Sequence, residues 1–285
     1  MMPQMLEFIG SGVIGSDYLD AIVDGEREDD VLEAIANELA STRLMLQFNQ
    51  IRRGSSLALR LAARLNGHNW GLSEVRTNIC PFIPLAGHTW QSYLNGLGSS
   101  HRANVMRRLR NIEKADGFKF ERNTALDIVI ELHRKRWSAN GGVSEAFQTP
   151  EIVAFHRDFA ALASDKGWLR LLSIWIQEQP VAAFYGLNYG GTFSFYQSGF
   201  DPAFTKQSVG LVMMGLAIRT ALEDGAAEYD LLHGDEEYKF HWASETRELG
   251  RIELYPPHVR GRLYRHCIAL NRTARRMARR MLIRA

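Results

Sequence analysis

Hydrophobic and polar positions follow two rhythms along this chain, and the rhythms predict its elements. Val31, Leu32, Ile35, Ala36 and Leu39 recur at helical spacing over Glu28–Ala40, whereas Met5–Ile9 and Leu44–Phe48 are short apolar runs of strand character. Ser55–Leu65 predicts a second helix, stopped by Asn66-Gly67, and Asn69–Leu85 an extended stretch whose regularity Pro81 and Pro84 limit. Trp90–Leu97 and Ser99–Ala115 predict one or two helices, the second opening at a Ser-Ser cap, and Phe118–Arg122 predicts a strand. Leu126–Ala139 is a helix closed by Asn140-Gly141-Gly142; a further one has Thr149 as cap, Pro150 in its first turn and an end near Lys166.

Three apolar runs then follow in succession, Trp168–Ile176, Val181–Tyr189 and Thr192–Tyr196, joined by tight polar turns at Gln177–Gln179 and Gly190-Gly191. Ser198-Gly199-Phe200-Asp201 leads on to Lys206-Gln207-Ser208-Val209-Gly210, which opens a helix. Beyond it a strand, Glu228–Leu232, empties into His233-Gly234-Asp235-Glu236-Glu237-Tyr238-Lys239. Arg251–Tyr255 predicts a last strand before Pro256-Pro257, and residues 259–283 a final helix. Helices, an antiparallel meander and a helical crossover to another strand specify an α/β (α+β) fold with a mixed sheet flanked by helices, not a doubly wound parallel one. A strand that delivers the chain to a Gly-containing helix start leaves free N–H groups backed by the positive end of the helix dipole, which suits a phosphate or pyrophosphate. The expected ligand therefore carries a nucleotide.

With 285 residues and 46% apolar side chains the chain can build one large core or two modest ones. Its net charge of +2 points to no particular partner, but the charge is unevenly spread: Arg260–Arg284 carries nine arginines and no acid. Leu263, Cys267, Leu270, Ala274, Met277 and Met281 lie at helical spacing among those arginines. Such a basic amphipathic helix can pack on the body, rest on an anionic membrane, or meet nucleic-acid phosphate. Cys80 and Cys267 belong to no CxxC or Cys/His cluster, so neither a disulfide framework nor a structural metal site is expected, and a reducing cytoplasm is the natural setting. Residues 1–15 show no basic leader, and no run approaches the roughly 18–20 apolar residues of a membrane span.

Gln207-Ser208-Val209-Gly210-Leu211-Val212 resembles the Q/R-x-x-G-x-G/A acyl-CoA loop of the GNAT acyltransferase superfamily, with Val212 departing from the usual final small residue. Four further segments extend the likeness: Leu132-His133-Arg134-Lys135-Arg136-Trp137, Pro180-Val181-Ala182-Ala183, Ser198-Gly199-Phe200-Asp201-Pro202, and Tyr229 to Lys239. Together these resemble the CelD, or cellulose-biosynthesis, branch of that superfamily, a relative of the FemAB peptidyltransferases. The likeness covers about Leu6 to Tyr255 and is strongest after Ser99. It implies an incomplete GNAT-like amino-terminal half over 1–115, a GNAT acyltransferase domain over 116–257 and a basic carboxy-terminal helix over 258–285.

The resemblance also implies acyl-CoA as co-substrate, with no metal. The cradle would be the N–H groups of Ser208, Val209, Gly210 and Leu211, with Lys206 or Gln207 adding side-chain donors. A main-chain N–H between Tyr196 and Ser198, with Gln197 and Ser198 beside the cofactor, would polarise the thioester carbonyl. Tyr196 is placed either as proton donor to the departing thiolate or in the core. A protonated alkylamine, with a pKa near 10, needs a base, for which His233, Asp235, Glu236 and Glu237 stand just past the strand. Lys239 would position one of these acids or bind an anionic substrate group. His133 and Trp137, four residues apart, share a helix face that lines an acceptor groove or joins the core. Arg102, Arg107, Arg108 and Arg110 would hold an anionic acceptor or form a solvated face.

The implied function is a cytoplasmic N-acyltransferase. It would act on an amine of a small or lipid-linked acceptor in envelope or exopolysaccharide metabolism, with possible contact at the inner membrane surface through the tail. Two alternatives stand beside it: a FemAB-like transferase taking an aminoacyl group from tRNA, and a non-catalytic GNAT-like component of a polysaccharide synthase.

Overall fold

The computed structural model describes residues 4–12, 14–139, 141–142 and 144–282. Asn140, the first residue of the expected helix stop, lies outside them. The chain forms two compact units, one of residues 1–78 with 248–285 and one of residues 79–247.

In the first unit, β1 (Met5–Glu7) runs parallel to β2 (Met45–Arg52), which pairs antiparallel with the part of β9 (Glu245–Tyr255) that begins at Glu248. Two helices cover these strands, α1 (Glu28–Ser41) and α2 (Leu57–Gly67). Their apolar stripes supply Leu32, Ala36, Leu61 and Leu65, which close a core with Leu46, Phe48, Ile252 and Leu254. Ser56 caps α2 by accepting from the N–H of Leu59. Helix α9 (Val259–Leu282) is the last described element; Val259, Leu263, Leu270 and Met277, spaced four, seven and seven residues apart, are all more than half exposed.

The second unit is built on a mixed sheet. Its members are β3 (Gly71–Pro84, here from Ile79), β4 (Lys119–Arg122), β5 (Leu169–Ile176), β6 (Gln179–Tyr189), β7 (Thr192–Phe200) and β8 (Glu228–Asp230), in the order β3-β8-β7-β6-β5-β4. Only β7 and β8 are parallel; the other neighbours are antiparallel. On one face lie α3 (Trp90–Gly96), α4 (Ser99–Ile112) and α7 (Val209–Glu223), on the other α5 (Leu126–Ala139) and α6 (Pro150–Asp165). Alternation along β6 feeds both cores, Ala182 and Phe184 into the first and Ala183 and Tyr185 into the second. Helix α7 is apolar nearly all round because it is covered on nearly every side, with ten of its residues buried.

Three local features differ from the sequence expectation. Helix α4 starts at Gly98 without a side-chain cap, so Ser99 and Ser100 sit inside its first turn. Strand β7 continues past Tyr196 to Phe200. A bulge at Tyr196, between the pairs Tyr185–Gln197 and Gly186–Phe195, lets it stay in register while turning its later side chains. Residues Pro202–Gln207 form a 3-10 turn, and α7 begins only after Ser208, which holds the left-handed conformation at φ 56° and ψ 42°. At Gly199 the backbone of α5 at Leu132 and His133 comes so close that any Cβ would collide with it; helix and strand are therefore in direct backbone contact here. No helix among the described residues is long and apolar enough to cross a membrane.

Candidate functional site

The β7–β8 ladder ends at Ser194–Asp230, and β7 runs six residues further without a β8 partner. Beside this extension opens a cavity of about 500 Å³, bounded by β7, the start of α7, α4, α5 and the segment 238–242. The first turn of α7 forms one wall. The N–H groups of Val209, Gly210 and Leu211 have no intrahelical acceptor and no other acceptor among the described residues. Ser208 is not equivalent to them, because its N–H already donates to the carbonyl of Thr205 at 3.0 Å, and its own carbonyl accepts from Val212 at 3.1 Å. The open donor set is therefore narrower by one than the sequence suggests. Arg108 of α4 fixes the turn below by donating from Nη1 to the Lys206 carbonyl at 2.9 Å, while the side chains of Lys206 and Gln207 are exposed and do not line the cavity.

Polar groups gather on the rim. Arg136 lies over the Phe200 ring, 5.2 Å from its centroid, and reaches Ser198 Oγ at 3.4 Å. His101 stacks on His241 at 5.3 Å and meets Trp242 edge-on at 4.6 Å, with a buried Nε2 that has no partner among the described residues. Burial and the neighbouring His241 pull the His101 pKa below its ordinary value. Burial, reinforced by the Glu236 carboxylate, pushes the Tyr238 phenol up to about 12.

Of the residues the sequence singled out, Ser198, Ser208, Val209, Gly210 and Leu211 line this cavity. Tyr196 does not. It faces the α5–α6 side, packed on Tyr185, with its hydroxyl 3.4 Å from His156 Nε2. Gln197 is half-buried and outside the lining. His233, Asp235 and Glu236 sit on the exposed loop after β8 and Glu237 opens the short helix that follows, exposed as well; none of the four lines the cavity. Lys239 is buried and serves that loop. Its Nζ donates to the carbonyls of His233 at 2.6 Å and Leu232 at 3.4 Å and pairs with Glu236 at 3.1 Å. The short helix α8 (Glu237–Phe240) is thereby held so that Tyr238, His241 and Trp242 turn to the cavity. Trp137 is 41% exposed, and it is Arg136 beside it that reaches the site. Tyr238, His241, His101, Asn104 and Arg136 are the lining groups that sequence reasoning left without a role; only the placement of Tyr238 and Arg136 inside the resembling segments hinted at them.

His133 is buried beneath the site. Its Nδ1–H donates to the Ser198 carbonyl at 2.9 Å, so Nε2 is the acceptor for the Ser144 hydroxyl at 2.7 Å. Burial holds its pKa below the ordinary value, and does the same for His156. All three shifted histidines therefore bind protons more readily in the unfolded chain, and stability falls as pH drops below about 6.5. The melting temperature should decline from about pH 7 to about pH 5, and less steeply in His133→Asn. A flat wild-type profile over that window would contradict the assignment.

Among the described residues no group of His, Cys, Asp and Glu could hold a metal ion. Residues 99–240 match the sequence family described as Acetyltransferase (GNAT) domain. No curated protein matches the chain. Among solved structures the chain is similar to FemX, with a TM-score of 0.60 and 13% identity over 86% of this chain and 80% of that one. It is also similar to the C-terminal domain of an Agrobacterium fabrum protein assigned as a lysylphosphatidylglycerol synthetase (TM-score 0.55, 12% identity, 82% and 75% covered). A third likeness is to L-PGS from Bacillus licheniformis (TM-score 0.50, 12% identity, 79% and 71% covered). At such identities these structures speak for the fold, which is GNAT-like, and the family match makes residues 99–240 a GNAT-type acyltransferase domain.

Proposed function

We propose, from a GNAT-type acyltransferase domain over residues 99–240, that the protein transfers an acyl group from acyl-CoA to an amine. The observation that carries this reading is the set of N–H groups at Val209, Gly210 and Leu211 without an acceptor among the described residues, opening on a cavity beside the stretch of β7 that runs on past its β8 partner. The CoA diphosphate sits on those three donors with the α7 dipole behind it, and the thioester lies along β7 towards Ser198. Arg136 and the backbone near Ser198 stabilise charge on the carbonyl oxygen. His241 accepts the amine proton, and the Tyr238 phenol donates a hydrogen bond to sulfur as it leaves. Asp235, Glu236 and Glu237 serve the loop mouth, where they draw a cationic amine towards the cavity.

The acceptor we infer is an amine in envelope or exopolysaccharide synthesis, supported by the CelD-like segments 132–137, 180–183, 198–202 and 229–239. Helix α9 holds the protein at an anionic membrane face through Val259, Leu263, Leu270 and Met277. Vesicles of phosphatidylglycerol should pull the protein down and those of phosphatidylcholine should not, and Leu263→Asp with Leu270→Asp should release it; equal recovery with both lipids ends that reading. The likeness to FemX over 86% of the chain keeps aminoacyl transfer from tRNA as the second reading, with Arg107 and Arg110 exposed on α4. Thermal melts decide between them. Free CoA and acetyl-CoA should raise the melting temperature by mass action, whereas indifference to CoA with steeply salt-dependent tRNA binding would select the second.

A further inference from the structure

We propose that the cavity accepts an aliphatic acyl chain of several methylenes rather than an acetyl group, an inference that rests on the acyl-CoA reading. The lining divides cleanly by burial. Phe184, Gly199, Val209, Met213, Met214 and Trp242 are buried, and none carries a charge. The polar lining groups, His101, Asn104, Arg136, Ser198, Tyr238 and His241, are all half-buried or exposed. A pantetheine arm has two amides that need partners, and the buried walls offer them almost none, so the arm belongs on the rim. What remains for the interior is apolar. An acetyl group brings a single methyl, which does little to fill the apolar part of this cavity of about 500 Å³, where Phe184, Phe195 and the two methionines form the walls.

The methionine pair adds a second argument. Met213 and Met214 are 2% and 6% exposed on a helix whose other buried residues, Thr220 apart, are aliphatic or glycine, and Tyr229 Oη donates to Met214 Sδ at 3.5 Å. Unbranched thioether side chains adapt their shape to an irregular guest, which suits a floor that meets a flexible alkyl chain. Phe184 and Phe195 stack at 5.3 Å and form the opposite wall from strands β6 and β7. The cavity is thus continuous from a diphosphate-type donor set at Val209–Leu211 to an apolar interior.

Calorimetric titration with free CoA and acetyl-, butyryl-, octanoyl- and dodecanoyl-CoA tests this. Each methylene buried should tighten binding about fourfold until the cavity is full, after which affinity levels off. In Met213→Phe and Met214→Phe the levelling-off should come at a shorter chain, with free-CoA affinity retained as the check that the protein is folded. Equal affinity for acetyl- and octanoyl-CoA overturns the inference and leaves the acyl-CoA reading standing. So does a levelling-off that neither variant moves. If CoA itself fails to bind, the same acyl series as N-acetylcysteamine thioesters separates the two claims. Chain-length dependence there upholds the acyl cavity while the CoA reading falls, and none there removes both.

Discussion

Gly210→Asp should abolish the stabilisation that CoA confers while leaving the unliganded protein nearly as stable as before. Gly210 is exposed at the start of α7, and a Cβ added there meets only the Phe200 ring, at 3.4 Å, with cavity space beyond. The substitution therefore asks little of the fold. It asks much of the ligand, because it sets a carboxylate among the N–H groups of Val209 and Leu211, where a diphosphate would lie. Like charges forced together in such a contact cost several kcal/mol, enough to weaken binding at least about a hundredfold. At a CoA concentration of about 100 times the wild-type Kd, the ligand contributes about 2.7 kcal/mol of stability, and a hundredfold weaker variant retains only about 0.4 kcal/mol. Gly210→Ala, with the same backbone demand and no charge, should keep most of the effect. Retention of the full melting shift in Gly210→Asp would show that the diphosphate is not bound at this helix start.

The reasons that some of this site could be read from the chain, and some could not, lie in particular residues. The meander from Leu169 to Phe200 and the helix start after it were visible because buried strands show as apolar runs punctuated by Gly-Gly and polar turns, and because glycine at a helix mouth has few uses. Which side chain faces which way was less visible. Alternation from Phe193 and Phe195 puts Tyr196 with Tyr185 and His156 on the α6 side, and the extra residue in β7 reverses the parity only beyond it, which brings Ser198 and Phe200 round to the cavity. On α5 the spacing correctly puts His133 and Trp137 on one face, but spacing cannot say how the helix is rolled. That roll is set by Gly199, where α5 meets β7 backbone to backbone, and it brings Arg136 to Ser198 and Phe200. After β8 the acids are conspicuous in sequence. Yet burial of Lys239 under the carbonyls of Leu232 and His233 turns the loop so that its aromatic and imidazole side chains point inward and its carboxylates face water.

That inversion makes Tyr238 the residue whose removal should tell most about the chemistry. Its phenol lines the cavity, and burial raises its pKa to about 12, so it remains protonated through the neutral and mildly alkaline range. Such a group is a poor source of a proton for a thiolate, whose conjugate acid is near 8.5, but a good hydrogen-bond donor to sulfur as negative charge grows on it. A hydrogen bond to a charged acceptor is worth about 1.5–3 kcal/mol, so Tyr238→Phe should lower kcat on the order of ten- to a hundredfold. Because the bond strengthens only as the thioester breaks, KM should change little. The pH profile carries a second test. A tyrosine of ordinary pKa would cut activity near pH 10, whereas this one should cause no downturn there, where the acceptor amine loses its own proton, with any loss beginning only as pH approaches about 12. Glu236→Gln removes the carboxylate that reinforces the shift, and should bring that loss to lower pH without the drop in kcat at neutrality. Unchanged kcat in Tyr238→Phe would leave the departing sulfur to another donor of the rim, of which Arg136 and His101 are within the same cavity.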